Sequence, residues 1–190
     1  IELNRLKSQL NPHFIFNALN SIRALVDENP ANAKNAVTKL SNLLRNSLSS
    51  DRKKLVTLQD ELTTVNDYLE LEKIRYEERL KIDQDIPDEA MSVLVPPLML
   101  QTLVENAIKH GISNLPKGGF IKMDVAILEE HLEIFIRNTG KLRGSDGKPG
   151  YGLENTKRRL NLIYGEKASF TIKNESNNVV LAIVKIPLIP

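Results

Sequence analysis

Residues 10–20 read LNPHFIFNALN, and this stretch places a histidine directly after a proline within a run that otherwise favours a helix. Pro12 removes a backbone donor and crowds the carbonyl four residues earlier, so it bends or loosens a helix interior. The imidazole of His13 can accept and release a phosphoryl group near neutral pH. The stretch therefore predicts a helix with a nucleophile beside a local defect, although such a histidine is also typical of a polar contact at a helix interface.

The residues on either side of this stretch continue a helical pattern. Apolar side chains recur every three or four positions from Leu3 to Leu25, and residues 27–30 (DENP) then interrupt the pattern. A polar stripe at the same spacing contains Gln9, His13, Asn17 and Asn20. A second helix follows, and its predicted apolar face consists of Ala33, Val37, Leu40, Leu44 and Leu48.

Two amphipathic helices joined by a short break predict a helical hairpin. Because two helices alone rarely bury both apolar faces, we expect the hairpin to pair with a second copy as a four-helix bundle. Thr57 and Asp60 resemble a capping box and predict a third helix to about Glu77. The pattern of that helix, taken alone, is typical of a structural connector.

After residue 79 the chain changes character, because short strands alternate with helices. The pattern predicts a strand over 81–87, a helix opened by VPP at 95–97 and ended by Gly111, strands over 121–127 and 132–136, a helix over 151–164 and a hairpin over 170–186. Helices on one face of a mostly antiparallel sheet make an α+β fold. We therefore expect a helical domain over residues 1–78 and an α+β domain over residues 79–190.

Composition excludes several classes of protein. The net charge of +2 favours neither a nucleic-acid surface nor strong attraction to a membrane. The chain has no cysteine, which rules out disulfides and thiolate metal sites and fits a reducing compartment. No apolar run approaches the about 20 residues that span a bilayer. Since the chain starts with Ile1 rather than Met, we expect a segment of a longer protein.

The helix that ends at Gly111 combines an apolar face with a polar face suited to a phosphorylated ligand. Its polar residues are Gln101, Thr102, Glu105, Asn106, Lys109 and His110. Carboxylate and amide oxygens are ligands of Mg²⁺, and a lysine neutralises phosphate, so this set suits a magnesium-bridged polyphosphate. The same pattern is also typical of an ordinary solvated helix face.

Two further stretches suit a nucleotide, although each also has an ordinary structural explanation. GYGL at 150–153 precedes a helix, and its glycines would let backbone amides approach an anion beside the positive end of that helix. The loop over residues 141–150 could close as a lid, or it is a plain surface loop. Asn138, two residues before Gly140, could present its amide to a base at the end of a strand.

Four motifs follow one another along the chain: LNPHFIFNALN at 10–20, LELEKIR at 69–75, VPPLMLQTLVENAIKHG at 95–111 and GYGLENTKRRL at 150–160. In this order they resemble the transmitter region of LytS/YehU-type sensor histidine kinases over almost the whole chain. The resemblance implies an ATP-dependent protein-histidine kinase of a two-component system. It also implies a dimeric phosphoacceptor hairpin followed by an α/β-sandwich ATP-binding domain of the Bergerat type.

The resemblance implies roles for individual residues. His13 matches the phosphoacceptor, Asn17 would orient its imidazole, and Glu105 is a candidate general base. Asn106, together with Glu105, would hold Mg²⁺. The residues that match the ATP-binding boxes are Asn106, Lys109, His110, Asn138, Gly140, Gly150, Gly152, Leu153, Asn155 and Arg158.

Two positions depart from the pattern of many histidine kinases. Asn138 stands where many have aspartate; its amide oxygen can accept from the adenine amino group, but its own NH₂ then needs an acceptor. Phe14 stands where many have an acid that serves as base. These departures leave open a degenerate kinase that acts as a nucleotide-binding dimer scaffold. A Bergerat-type ATPase that drives a clamp is a third possibility, against which the hairpin with His13 argues.

The resemblance also implies partners and a location. ATP and Mg²⁺ are the expected cofactors, and a response regulator is expected to receive the phosphoryl group on an aspartate. We expect a homodimer through the N-terminal helices and no nucleic-acid partner. A membrane anchor upstream of residue 1 would place this region on the cytoplasmic side of an inner or plasma membrane.

Overall fold

The computed structural model describes residues 12–49, 55–142 and 151–188. Its helices are α1 (Pro12–Glu28), α2 (Pro30–Ser49), α3 (Leu58–Tyr76), α4 (Met99–His110) and α5 (Tyr151–Tyr164). Its strands are β1 (Val56–Thr57), β2 (Leu80–Asp85), β3 (Leu94–Val95), β4 (Gly119–Leu128), β5 (His131–Thr139), β6 (Ser169–Ser176) and β7 (Val179–Pro187). Among these helices, none is both long and apolar enough to cross a membrane.

The C-terminal part is a five-stranded mixed sheet with helices packed against it. The strand order is β2-β4-β5-β7-β6, in which β2 runs parallel to β4 and the other neighbours are antiparallel. Alternate residues of β4 and β5 are buried, as period-two patterning predicts, and α4 and α5 pack on this sheet. The predicted α+β fold is therefore confirmed.

The N-terminal helices α1 and α2 pack on each other and on α3. The buried residues of α2 include Ala33, Ala36, Leu40 and Leu43. Val37, predicted on the buried face, is 49% exposed instead, because α2 turns its alanine side towards its neighbours and these small side chains allow close packing. Of the predicted faces, Leu3 to Leu10 with Gln9 lie outside the described residues, as does the side chain of Leu48. Pro12 is the first described residue, so its placement inside a longer helix stays a prediction.

Helix α3 begins where the capping box predicts and contacts both parts of the chain. The Thr57 hydroxyl accepts a hydrogen bond from the Asp60 amide at 3.1 Å. The helix packs on α1 and α2 on one side and on α4 on the other, so it does more than connect them. The predicted boundary between residues 78 and 79 falls in the 3₁₀ turn Glu77–Arg79 and remains a prediction.

Candidate functional site

The phosphoacceptor candidate His13 lies exposed in the first described turn of α1. Its Nδ1 is 3.1 Å from the amide nitrogen of Asn17, because residues four apart are neighbours on a helix. In this orientation Asn17 donates to Nδ1. A half-turn of the amide would instead let its oxygen accept from Nδ1–H, which leaves the Nε2 lone pair free. Asn17 is therefore placed to set the tautomer of His13.

Phe14, next to His13, faces helix α3. Its ring centroid is 4.7 Å from that of Tyr68, and the two rings are tilted by 39°. Because this contact holds the side of α1 that carries Phe14 against α3, it leaves the adjacent His13 accessible. Phe14 thus anchors the helix but supplies no base.

The two residues predicted to share a metal ion, Glu105 and Asn106, are neighbours on helix α4. Glu105 accepts a hydrogen bond from the Gln101 amide at 2.7 Å and faces Glu72 of α3. Burial raises the pKa of Glu105, and the charge of Glu72 adds to this, whereas Gln101 and Lys109 oppose it. Asn106 is half-buried, one helical step around from Glu105. Within the described residues, no three or more His, Cys, Asp or Glu side chains gather as a metal site.

A buried polar cluster between α3 and α4 escaped the sequence reasoning. The Tyr68 hydroxyl donates to Glu72 Oε1 at 3.3 Å, and Arg75 lies 3.6 Å from Glu72 Oε2. Burial raises the pKa of Glu72, and Arg75 and Tyr68 oppose this. The sequence did carry a signal, since Glu72 stands at helical spacing between the buried apolar residues Tyr68 and Tyr76.

Asn138 lies at the end of the central strand β5 and is 6% exposed. Its Nδ2 donates to the carbonyl oxygen of Thr139 at 3.0 Å. This bond provides the acceptor that an asparagine needs here, and it leaves the side-chain oxygen available for a donor.

Two glycines let the end of α4 rest on Asn138. A Cβ on Gly111 would lie 2.5 Å from Asn138 Nδ2, and one on Gly140 would lie 2.9 Å from the Cα of Gly111. Gly140 also has a φ of 148°, which side chains rarely adopt. The predicted residues His110, Asn138 and Gly140 therefore meet at one end of α4. Partial desolvation of its ring lowers the pKa of His110, although the residue as a whole is exposed, and the charge of neighbouring Lys109 adds to this.

At the other end of α4, the first turn of α5 packs closely. A Cβ on Gly152 would lie 3.1 Å from Thr102 Cγ2, and Leu153 is buried. Asn155 and Arg158 are exposed, and Arg158 pairs with Glu154 at 3.4 Å. Gly150 and residues 143–149 lie outside the described residues.

A second missed feature joins α3 to the start of α4. Glu61 of α3 is 3% exposed, and its Oε1 and Oε2 accept from the amides of Leu98 at 2.6 Å and Leu100 at 2.9 Å. Burial raises the pKa of Glu61 to about 7, although these amides and Arg159 oppose the shift. An acid at helical spacing between the apolar Leu58 and Val65 was the available signal.

Comparisons with known proteins show which sequences the chain resembles. Residues 1–80 match the family model described as histidine kinase. The chain is 33% identical over 194 residues to the sensor protein LytS of Staphylococcus epidermidis, covering 95% of this chain and 33% of the relative. It is 35% identical over 192 residues to the sensor histidine kinase/phosphatase LytS of Staphylococcus aureus, covering 93% and 32% respectively. The chain thus spans about a third of the length of these curated relatives.

Solved structures share the fold. The histidine kinase AdeS of Acinetobacter baumannii matches with a TM-score of 0.56 at 15% identity, covering 93% of this chain and 96% of that chain. The catalytic domain of the histidine kinase ThkA matches with a TM-score of 0.55 at 16% identity, covering 72% and 97% respectively. The predicted kinase-type architecture is therefore confirmed at the level of the fold.

Proposed function

This chain is a relative of the LytS-type sensor histidine kinases over nearly its whole length, and on that basis we propose that it phosphorylates its own His13 from ATP and Mg²⁺. The phosphoryl group would then pass to an aspartate of a response regulator. The observation that carries this proposal is the exposed His13, oriented by Asn17, in a chain that also holds a site suited to a nucleotide. The membrane anchor and the cytoplasmic location remain predictions from the resemblance.

The residues of the C-terminal site fit an adenine nucleotide. Asn138 offers its side-chain oxygen to the adenine amino group because Thr139 already accepts from its NH₂. Gly111 and Gly140 let the end of α4 pack directly against this amide, which fixes its position at the end of β5. We assign the phosphates to Gly150, Gly152, Leu153 and Asn155, with Lys109, His110 and Arg158 as nearby polar or cationic groups. Asn106 would hold Mg²⁺ through its amide oxygen, with Glu105 as the second candidate ligand.

In the transfer step, a neutral ring nitrogen of His13 attacks the γ-phosphorus in line, a nitrogen–phosphorus bond forms, and the bond to the bridging oxygen of the leaving ADP breaks. Bound Mg²⁺ supplies charge neutralisation for the phosphates. With its amide turned by a half-turn from the observed orientation, the Asn17 oxygen would accept from Nδ1–H and leave the lone pair of Nε2 free to attack. Glu105 stays the candidate that takes up this proton, and because Gln101 donates to its Oε1, the second carboxylate oxygen would accept it.

The N-terminal helices support the proposed homodimer. Phe16, Leu19 and Val26 of α1 and Val37 of α2 are exposed, with Phe16 at 67%. Several large apolar side chains exposed on two neighbouring helices are typical of a surface that another protein chain covers. A second copy of the hairpin would cover them in a four-helix bundle.

One observation favours the alternative of a nucleotide-binding scaffold without kinase activity. Phe14 packs on Tyr68, so the position that often carries a base has a structural task instead. The two functions differ in whether a phosphohistidine forms.

Incubation with ATP radiolabelled in its γ-phosphate, in the presence of Mg²⁺, tests the proposal. We expect an acid-labile, base-stable label on the wild-type chain that His13→Ala abolishes. His131→Ala, which changes a histidine at the hairpin between β4 and β5, is the matched control and should keep the label. Nucleotide binding without any label on the wild type would establish the scaffold instead.

A further inference from the structure

The start of helix α4 has no cap from its own sequence. Leu98 occupies the N-cap position with a φ of 60°, and its side chain makes no capping hydrogen bond. Pro96 and Pro97 precede it. The first amides of a helix need acceptors, which Ser, Thr, Asp or Asn usually provide at this position. These amides must therefore be satisfied from elsewhere in the fold.

Glu61 of helix α3 supplies acceptors for amides at this helix start. Its carboxylate accepts from Leu98 at 2.6 Å and from Leu100 at 2.9 Å, although 37 and 39 residues separate the partners. Charge-assisted bonds to buried amides are stronger than neutral ones, and a negative charge at a helix N-terminus is favourable. The carboxylate thus fixes where α4 starts relative to α3.

The same junction includes helix α5. Arg159 of α5 donates to the carbonyl oxygen of Pro97 at 2.6 Å, and its charge faces Glu61. Thr102 donates to the carbonyl oxygen of Leu98 at 2.6 Å and touches the position of Gly152. One turn of α4 is therefore held by α3 and packed against α5, the helix that starts the glycine motif.

We propose that Glu61 is a positioning residue for nucleotide binding, because its carboxylate sets helix α4, which carries Asn106, against helix α5, which carries Gly152. This inference rests on the proposed ATP site. Glu61 does not need to touch the nucleotide, since its effect passes through the placement of these two helices.

Protonation of Glu61 disturbs this junction. A carboxylic acid has one hydroxyl donor, which would face the N–H of Leu98 or Leu100, so one of the two bonds is lost. The groups around the carboxylate are the backbone amides of α4 and the guanidinium of Arg159 from α5. Because burial raises the pKa of Glu61 to about 7, the change falls near neutral pH.

Affinity measurements for ATP and Mg²⁺ at pH 8 and pH 6 test the inference. We expect the wild type to bind at least about fivefold more weakly at pH 6, in the usual range of a coupling between two sites. Glu61→Gln, which has one acceptor oxygen and no charge, should bind weakly at both values with little pH dependence. Asp60→Asn, which removes an exposed carboxylate one residue earlier, is the control and should follow the wild type.

A second measurement on the wild type does not depend on the folding of a variant. The carboxyl carbon resonance of Glu61 is titrated with and without ATP and Mg²⁺. By linkage, a nucleotide that prefers the ionised form must lower the titration midpoint. An unchanged midpoint, or a Glu61→Gln chain with wild-type affinity and pH dependence, overturns the inference. A wild type that binds no ATP at either pH contradicts the proposed function itself and this inference with it.

Discussion

At the scale of single residues, Asn138 shows how one hydrogen bond decides which side chain a position accepts. An aspartate would offer adenine a stronger acceptor, yet the oxygen that replaces Nδ2 would face the carbonyl oxygen of Thr139. Two acceptors without a proton between them repel each other, and the site is buried. Asparagine therefore makes a weaker hydrogen bond to the adenine amino group than aspartate would, but its NH₂ group is satisfied by the backbone carbonyl of Thr139.

This contact predicts the effect of Asn138→Asp. We expect the free energy of unfolding in urea at pH 8 to fall by about 1–3 kcal/mol, the usual cost of leaving a buried polar group unsatisfied. Asn174→Asp is the matched control, because Asn174 accepts from the Leu142 amide through its oxygen, which an aspartate retains. The control should change stability by no more than about 0.5 kcal/mol. Equal effects of both substitutions would contradict this account of Asn138.

The residues that sequence reasoning missed share a physical reason. Glu61 and Arg159 bond to elements that are far apart from them in sequence, and Glu72 is buried by the helix that packs on α3. A helical pattern read from one segment does not show what packs on it. The local features were predictable because they depend on neighbours: the Thr57 cap, the His13–Asn17 pair and the glycine that ends α4.

At the scale of elements, helix α4 is held at both ends. Glu61 fixes its start, and its C-terminal turn closes on Gly111, which lies directly over the end of β5. The alternation in β4 and β5 made the sheet predictable from sequence, but this close approach of a helix end to a strand end depends on tertiary packing. A glycine at 111 was expected as a helix terminator, and its contact with Asn138 was not.

Gly111→Ala should expose this close approach. A Cβ there would lie 2.4–2.6 Å from the carbonyl oxygens of Thr139 and Ala107 and from Asn138 Nδ2, so α4 would have to move. We expect urea unfolding to show a loss of about 1–3 kcal/mol, typical of overpacking. Gly152→Ala is the comparison, because its nearest neighbour is a side-chain methyl at 3.1 Å within a helix, where alanine is favoured by up to about 1 kcal/mol. A loss at Gly152 as large as that at Gly111 would refute the explanation.

At the scale of the whole molecule, helix α3 joins the two parts that the sequence separates. Tyr68 of α3 contacts Phe14, the residue beside the phosphoacceptor candidate. Glu72 of α3 lies near Glu105 of α4, and Glu61 of α3 caps the start of α4. The sequence predicted both parts because each has its own periodicity, whereas the contacts between them involve single side chains. These contacts place three carboxyl groups along one interface, the buried Glu61 and Glu72 and the half-buried Glu105.

These carboxyl groups predict how stability depends on pH. Burial raises the pKa of all three in the folded chain, that of Glu61 from 4.5 to about 7. As the pH falls from 8 towards 5, the folded chain binds protons at these carboxyl groups, whereas the unfolded chain binds them only near pH 4.5. Because the folded chain binds more protons in this range, the free energy of unfolding rises as the pH falls. The shift of Glu61 alone corresponds to about 3 kcal/mol, lost again as the pH rises through 7. His110 has the opposite effect on stability. Because desolvation lowers its pKa in the folded chain, the unfolded chain binds a proton there more readily, and stability falls as the pH drops below the ordinary pKa of histidine.

Urea unfolding of the nucleotide-free chain at pH 8, 7, 6 and 5 measures this dependence. We expect the wild type to gain stability on acidification and Glu61→Gln to gain less, because the substitution removes the carboxyl group whose pKa is raised to about 7. Nucleotide affinity should fall on acidification over the same pH range. The ionised carboxylate of Glu61 lowers the stability of the fold, but it is the form that accepts both hydrogen bonds from α4 and holds this helix against α5. A chain whose stability rises on acidification while its nucleotide affinity stays unchanged would show that Glu61 serves the fold alone.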